Sequence, residues 1–438
     1  MKLLILRAQV PSVWGSCRVI SPNLSAAYDG LPADFVREDF LLHENFFSEA
    51  SFTAPGGLFA LAERIGKGDV DALVLLDHLP VQPEVCTLLS QVIAPERLPP
   101  LVFHLYGDFT YFASEWARFG KQFQGHRVRF IAASHRQAQL VENCIGRPHH
   151  VPRLFFPVDT ERFRFSDERR AEARRALGFT NDDLLTIYTG RVSLQKNVDV
   201  ALGAVDALGN LSPRHHFFVA GGFDDVGAGF ASIDTFDGYM FAKMQRKLEA
   251  CRFVRPRLLG ALQLPALIDL LHAADIYISL SLYHDEDFGM APAEALATGL
   301  PCVLSDWGGY ASFPGEDYYA GMVPVRLDKF GLSLELAQMP PMFAHCQRIS
   351  RTGRAQRAQA FAREFSIQAL VAPLAEVLRT PPESFPGFSW RVQSLAQQFK
   401  RNGGLPAGEL NPHLLPGAGG LYEEIYRSYL TPLPGADL

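Results

Sequence analysis

Four side chains in one half of this sequence are of types that do chemistry when brought together: Arg191, Lys196, Glu286 and Glu294. The two glutamates flank a tight turn, Phe288-Gly289, that runs into Met290-Ala291-Pro292. Proline suits the first position of a helix, where its missing N–H costs nothing, which predicts a helix over Pro292–Thr298 with Ala291 as N-cap. Alanine cannot cap the open backbone donors, so such a helix start is suited to an anionic or polar ligand. Three other readings of these residues stay open. Glu294 could be half of a capping box, although the partner Ser or Thr is absent. Asp285-Glu286-Asp287 could bind a metal, or be a solvated acidic turn.

The cations stand in Gly190-Arg191-Val192-Ser193-Leu194-Gln195-Lys196-Asn197, directly after an apolar run, Leu185–Tyr188. Glycine lets a backbone come close to a ligand at a strand end. Arginine offers a fork of donors matched to phosphate, and lysine a movable charge. Taken alone, this reads first as a helix-entry loop with two solvated cations. Taken with the two acids, it suits a nucleoside diphosphate carrying a polyhydroxy group, with cations on the phosphates and carboxylates on hydroxyls. A further run, His216–Ala220, leads into Gly221-Gly222, a second close-approach point.

These loops need strands to hold them. Short apolar runs alternate with helix-like stretches along most of the chain, as in Lys2–Leu6, Ala72–Leu76, Leu101–Leu105, Arg129–Ala132, Ile276–Leu280 and Cys302–Ser305. Such alternation implies parallel sheets covered on both faces. The chain has 438 residues, too many for one core, and too many strands for one sheet, so two doubly wound α/β domains are expected. The break is expected near Val151–Asp159, which holds two prolines. The expected division is 1–155, 156–378 and an extension over 379–438, where Pro and Gly increase. The stretch Glu161–Arg175, rich in arginine but with four acids, reads as a solvated helix with internal ion pairs.

Composition sets limits. Apolar residues make up 48% and charged residues 20%, with net charge −6, so a folded chain without general nucleic-acid affinity is expected. The six cysteines are scattered without C-x-x-C, which suits small core residues in a reducing compartment and not a metal cage or disulfide framework. The apolar run at the N-terminus is too short for a signal peptide, and no window approaches ~20 apolar residues, so no membrane span is expected.

GRVSLQKN at 190–197 and EDFGMAPAEALATGLPCV at 286–303 together resemble the retaining glycosyltransferases of the family-four-like group, the glycosyl transferases group 1. FFPVDTERF at 155–163, AADIYIS at 273–279 and FIAAS at 130–134 add to the resemblance, which is strongest over 155–305. It implies the GT-B fold, with two Rossmann-like domains facing across a cleft, the donor on the C-terminal domain and the acceptor on the N-terminal one. The extension after Thr380 would supply the segment that crosses back. Arg191 and Lys196 would hold the donor diphosphate, Glu294 the ribose hydroxyls, and Glu286 the transferred sugar. Gly190, Gly221 and the backbone of Phe288, Gly289, Met290 and Ala291 would line the donor. A histidine after a strand of the first domain is also implied at the sugar, and His104 matches it, with His78 a weaker match.

The donor would be a UDP-, GDP- or ADP-sugar and the acceptor a glycan, a lipid-linked glycan or a small molecule, with no cofactor and no required metal. The implied setting is the cytoplasm, in polysaccharide synthesis, with peripheral contact at the inner face of the membrane compatible with it. A nucleotide-sugar epimerase on the same scaffold and a binding protein without turnover are the alternatives. The sequence departs from the family pattern in three places. Phe156-Pro157 replaces the usual Asn-Gly, Ser281 and Glu286 are about two residues further apart than is common, and only Gly15 represents the glycine-rich loop after the first strand.

Overall fold

The computed structural model describes residues 1–12, 15–107, 109–180, 182–209, 211–212, 214–225, 238–282, 286–313, 319–328, 331–349, 351–401 and 421–430. The chain forms two compact units, Met1–Pro157 with Ile367–Gly404, and Val158–Ser366 with Leu405–Leu438.

The first unit is built on five strands: β1 (Lys2–Ala8), β2 (Val36–Leu42), β3 (Ala72–Leu75), β4 (Leu101–His104) and β5 (Val128–Ile131). They pair in parallel in the order β2-β1-β3-β4-β5. β3, β4 and β5 are buried along their whole length, which is why they read as unbroken apolar runs.

The second unit carries six parallel strands: β6 (Asp183–Thr189), β7 (Arg214–Ala220), β8 (Val254–Gly260), β9 (Ile276–Ser279), β10 (Cys302–Ser305) and β11 (Ala320–Val323). Their order is β11-β10-β9-β6-β7-β8. The direction of strand succession reverses between β6 and β9, and in open α/β sheets ligands bind outside the carboxyl ends of strands at such a point. A small antiparallel hairpin, β12 (Val325–Asp328) and β13 (Gly331–Leu334), follows β11. Both sheets are the doubly wound α/β type expected.

Several details differ from the sequence reading. Besides the small hairpin β12–β13, the strands it missed, β2, β8 and β11, are all edge strands of the two large sheets. β2 is VREDFLL and half exposed, and β8 is VRPRLLG with Pro256 inside it. Edges tolerate charge and proline because one side has no ladder to complete, so the apolar signal is lost there. The helix Ile367–Arg379, placed by the sequence in the second domain, belongs to the first unit and packs against the helix Cys17–Asp29. Part of the expected extension, 405–438, belongs to the second unit.

The arginine-rich helix Asp167–Ala176 is not a solvated helix with internal pairs. Ser166 caps it by accepting the Arg169 N–H, and its arginines reach outward to the strand edge. Arg170 and Arg174 both grip Asp275, at 2.5 and 3.1 Å, and Asp275 also accepts the Leu185 N–H at 2.8 Å. Two of the four acids of that segment, Asp167 and Glu168, lie in the first turn of the helix, favourable to the dipole.

All six cysteines are free, five of them buried, as small core residues would be. Among the described residues no helix is long and apolar enough to cross a membrane.

Asp275 therefore ties a helix to two strands. Removing it leaves two largely buried guanidiniums short of their counter-ion, a loss typically worth about 3–5 kcal/mol. Asp275→Ala should lower the urea midpoint accordingly with an unchanged m-value, whereas a shift under about 1 kcal/mol would show the pair to be dispensable.

Candidate active site

At the switch point the loops after β6 and β9 are stitched together by their backbones. Asn197 adopts a left-handed conformation, φ 51°, and its side-chain amide donates to the Leu280 carbonyl at 3.0 Å. The Leu282 N–H donates to the Gln195 carbonyl at 2.9 Å. This brings Lys196 to Glu286, Nζ to Oε2, at 2.6 Å, with both side chains largely buried. Ser281 Oγ donates to the same carboxylate oxygen at 2.7 Å. One acid thus holds the cation from the neighbouring loop and the hydroxyl at the end of its own strand.

The loop after β6 continues the ladder to β7. Gly190 N–H donates to Ala220 O, Val192 N–H to Gly222 O and Asp224 N–H to Val192 O. The contact is so close that a Cβ on Gly221 would lie 1.7 Å from the Gly190 carbonyl oxygen, so only glycine fits. Arg191 forms an ion pair with Asp224, which stands two residues beyond Gly222. Beneath, Tyr188 donates to the Arg191 carbonyl at 2.7 Å and Tyr277 to the Thr189 carbonyl at 3.1 Å. The two buried phenols fix the height of the loop.

The helix carrying Glu294 spans Met290–Ala297. It begins two residues before the sequence-based start. Gly289, not Ala291, is the N-cap, at φ 98°, a turn that suits glycine. Pro292 still falls within the first turn, where its missing N–H is harmless. No side chain caps this start, and among the described residues the N–H groups of Gly289, Met290 and Ala291 make no hydrogen bond. The Phe288 N–H is taken by the Asp287 carboxylate at 2.8 Å, so it is withdrawn from the expected set of ligand donors.

Glu294 is 7% exposed and its carboxyl has no hydrogen-bond partner among the described residues. Burial pushes its pKa up to about 8, so it is neutral around pH 7. A capping-box role is excluded, since the group bonds to no N-terminal backbone donor. Of the acidic triplet, Asp285 lies outside the described residues, while Glu286 and Asp287 are engaged as above. Among the described residues no cluster of three His, Cys, Asp or Glu side chains could hold a metal ion.

The candidates of the first unit are placed differently. His104 ends β4 with 1% exposure, and its Nε2 is 2.9 Å from the Tyr28 hydroxyl. Gln82 binds its carbonyl, and burial depresses its pKa to about 4. It is a neutral core histidine in this unit, not one open at a strand end. His78 is also buried, edge-on to Tyr106 at 5.5 Å. Gly15 lies in the turn before the helix Cys17–Asp29, with nothing within 4 Å of where its Cβ would be. Sequence reasoning passed over Asp224, Tyr188 and Tyr277, because an aspartate in a loop and tyrosines in strands carry no distinctive spacing.

Comparison with known proteins comes to the same half of the chain. Residues 169–323 match the family model of the glycosyl transferases group 1. A D-inositol 3-phosphate glycosyltransferase of Actinosynnema mirum is 32% identical over 160 residues, 36% of this chain and 36% of the relative. A glycogen synthase of Mycobacterium tuberculosis is 30% identical over 194 residues, 44% of this chain and 41% of the relative. The chain thus spans less than half the length of these relatives. Among solved structures, Anabaena HepE in complex with UDP and glucose superposes with TM-score 0.60 at 16% identity, over 87% of this chain and all of that one. Sucrose-phosphate synthase from Thermosynechococcus elongatus does so with TM-score 0.60 at 14% identity, over 86% of this chain and 98% of the other.

Glu294 gives the site a pH signature. A carboxyl neutral when folded and ionised when unfolded costs stability as pH rises from about 4.5 to about 8, at up to about 1.4 kcal/mol per unit. Unfolding of Glu294→Gln in urea across that range should show a flatter decline than the parent protein. Parallel curves would place the Glu294 pKa near that of an exposed acid.

Proposed function

We propose that this chain, whose residues 169–323 match the family model of the glycosyl transferases group 1, transfers a glycosyl group from a nucleoside diphosphate sugar with retention at the anomeric carbon. The observation that carries this reading is the Lys196–Glu286 pair, a cation and an acid delivered by two loops to the switch point of the second unit. Solved relatives of the same fold bind UDP and glucose, so UDP-sugars are the first donors to test.

In this scheme the bond between the anomeric carbon and the β-phosphate oxygen breaks. An acceptor hydroxyl forms the new bond on the same face, and its proton leaves with the diphosphate. Negative charge grows on the departing phosphate, where Lys196 and Arg191 are the fixed counter-charges. The open N–H groups of Gly289, Met290 and Ala291 add oriented dipoles from the helix start. Glu286, held by Lys196 and Ser281, faces the transferred sugar, and Gly190 and Gly221 let the backbone close on the donor.

Glu294 is assigned the ribose. A buried carboxyl without a partner is costly, and two ribose hydroxyls supply the missing donors. Hydroxyls donate best to the ionised acid, so nucleotide binding should draw a proton off Glu294. His104, packed on Tyr28, is left out of the reacting set. The family match lies on the donor side, so the acceptor is assigned only as a hydroxyl-bearing glycan, lipid-linked glycan or small molecule.

UDP-, GDP- and ADP-sugars incubated with the protein should give hydrolysis or transfer of one of them, with α-linked donor yielding α-linked product by proton NMR. Inverted product, or turnover of none of the three classes, overturns the reading. Lys196→Ala should lower kcat by roughly a hundred- to a thousand-fold, as loss of one buried electrostatic group does. Glu294→Gln should chiefly weaken binding of the free nucleoside diphosphate. Calorimetric affinity for that nucleotide should rise with pH toward about pH 8 in the parent protein and lose this dependence in Glu294→Gln.

A further inference from the structure

The stretch Asp306-Trp307-Gly308-Gly309 follows β10 at the site's edge, and nothing above explains its tryptophan. Trp307 is fully buried. Its ring meets Tyr426, stacked at 6.3 Å, and Tyr429, edge-on at 5.4 Å, and the two tyrosines touch each other at 5.6 Å. Both tyrosines come from the C-terminal segment, the helix Leu421–Tyr426 and the turn Arg427–Tyr429, and both are 1% exposed.

On its other side this cluster bears on the loop of Glu286. The Gly309 N–H donates to the Glu286 carbonyl at 2.7 Å. A Cβ on Gly308 would lie 2.4 Å from that same carbonyl oxygen and 2.9 Å from the Tyr429 ring. Gly308 therefore turns its side-chain face to both the Tyr429 ring and the main chain of Glu286, with no room there for a Cβ.

From these contacts we infer that the C-terminal segment 421–430 is a working part of the donor site, a clamp in which Tyr429 positions the Glu286 loop through Gly308 and Gly309. The side chain of Glu286 is aimed by Lys196 and Ser281, but those bonds act only if its main chain is held at the right height. The glycines cannot supply that stiffness themselves, because glycine is the most mobile backbone. The buried Trp307–Tyr426–Tyr429 cluster supplies it by packing, at a distance of one backbone layer. Tyr429 is thus a positioning residue that touches neither donor nor acceptor.

The inference concerns the Glu286 site of the glycosyl-transfer reading, and the test separates the two. Amide hydrogen exchange reads the clamp without any activity. Tyr429→Ala should speed exchange at the Gly309 amide by roughly tenfold or more, with the protection of β6, β7 and β9 unchanged. Tyr429→Phe, which keeps the ring, should match the parent protein. In turnover assays Tyr429→Ala should lose kcat by on the order of 10- to 100-fold, since small misplacements at a reacting centre carry such costs, while UDP affinity by calorimetry stays close to the parent value. Unchanged Gly309 exchange in Tyr429→Ala overturns the inference. So does a uniform loss of protection across the sheet, which marks a merely structural residue, or full kcat despite a loosened loop. If no form of the protein turns over any nucleotide sugar, the glycosyl-transfer reading falls and the exchange arm alone still decides the clamp.

Discussion

The ion pair between Lys196 and Glu286 is the constraint on which the second unit turns. Its partners are ninety positions apart in sequence and meet at 2.6 Å because β6 and β9 are neighbours in the sheet. Were the strand order different, the two loops would not share an edge. The pair is largely buried, so each charge depends on the other, and loss of one would leave the other uncompensated. The stitching of Asn197 to Leu280, and of Leu282 to Gln195, makes the meeting point a property of the backbone before any side chain is considered.

Two acids eight positions apart have different surroundings. Glu286 has a cation and a hydroxyl in contact. Glu294 is buried without a partner, and desolvation pushes it to about 8. Carboxyls in such different surroundings can do different work, one as the bound partner of a cation and one as a group that ionises when a ligand brings it donors.

How much of this was legible in the sequence follows from where signals survive. Fully buried strands such as β4 and β9 show themselves as apolar runs, whereas at the sheet edges β2 carries charge, β8 charge and proline, and β11 is only the four residues AGMV. Arg191, Lys196, Glu286 and Glu294 were readable as a group, because cations after one strand and acids after another are rare enough together to suggest a ligand. The helix start was misplaced by two residues, since Pro292 is tolerated anywhere in the first turn while Gly289 determines where the chain bends. The burial of His104 against Tyr28 was not legible, because a sequence match says nothing of burial. Asp224, Tyr188 and the aromatic contacts of Trp307 have no periodicity at all, and arise only from packing.

Asp224 shows why such residues matter to the site as built. A diphosphate needs a cation that is already oriented, yet a guanidinium on a long side chain loses much rotamer freedom when it is fixed. In this chain the fixing is done ahead of binding, by Asp224 on Arg191 and by Glu286 on Lys196. Each carboxylate occupies part of its cation's donor capacity, and a guanidinium has five N–H donors while an ammonium has three. On the proposed reading, an arriving phosphate meets cations whose ordering cost has been met during folding. The same acids keep those cations from carrying uncompensated charge in a crowded backbone environment. The ion pairs are thus a means of holding the two cations still, and the close approach of Gly190 to Gly221 sets the space in which they are held.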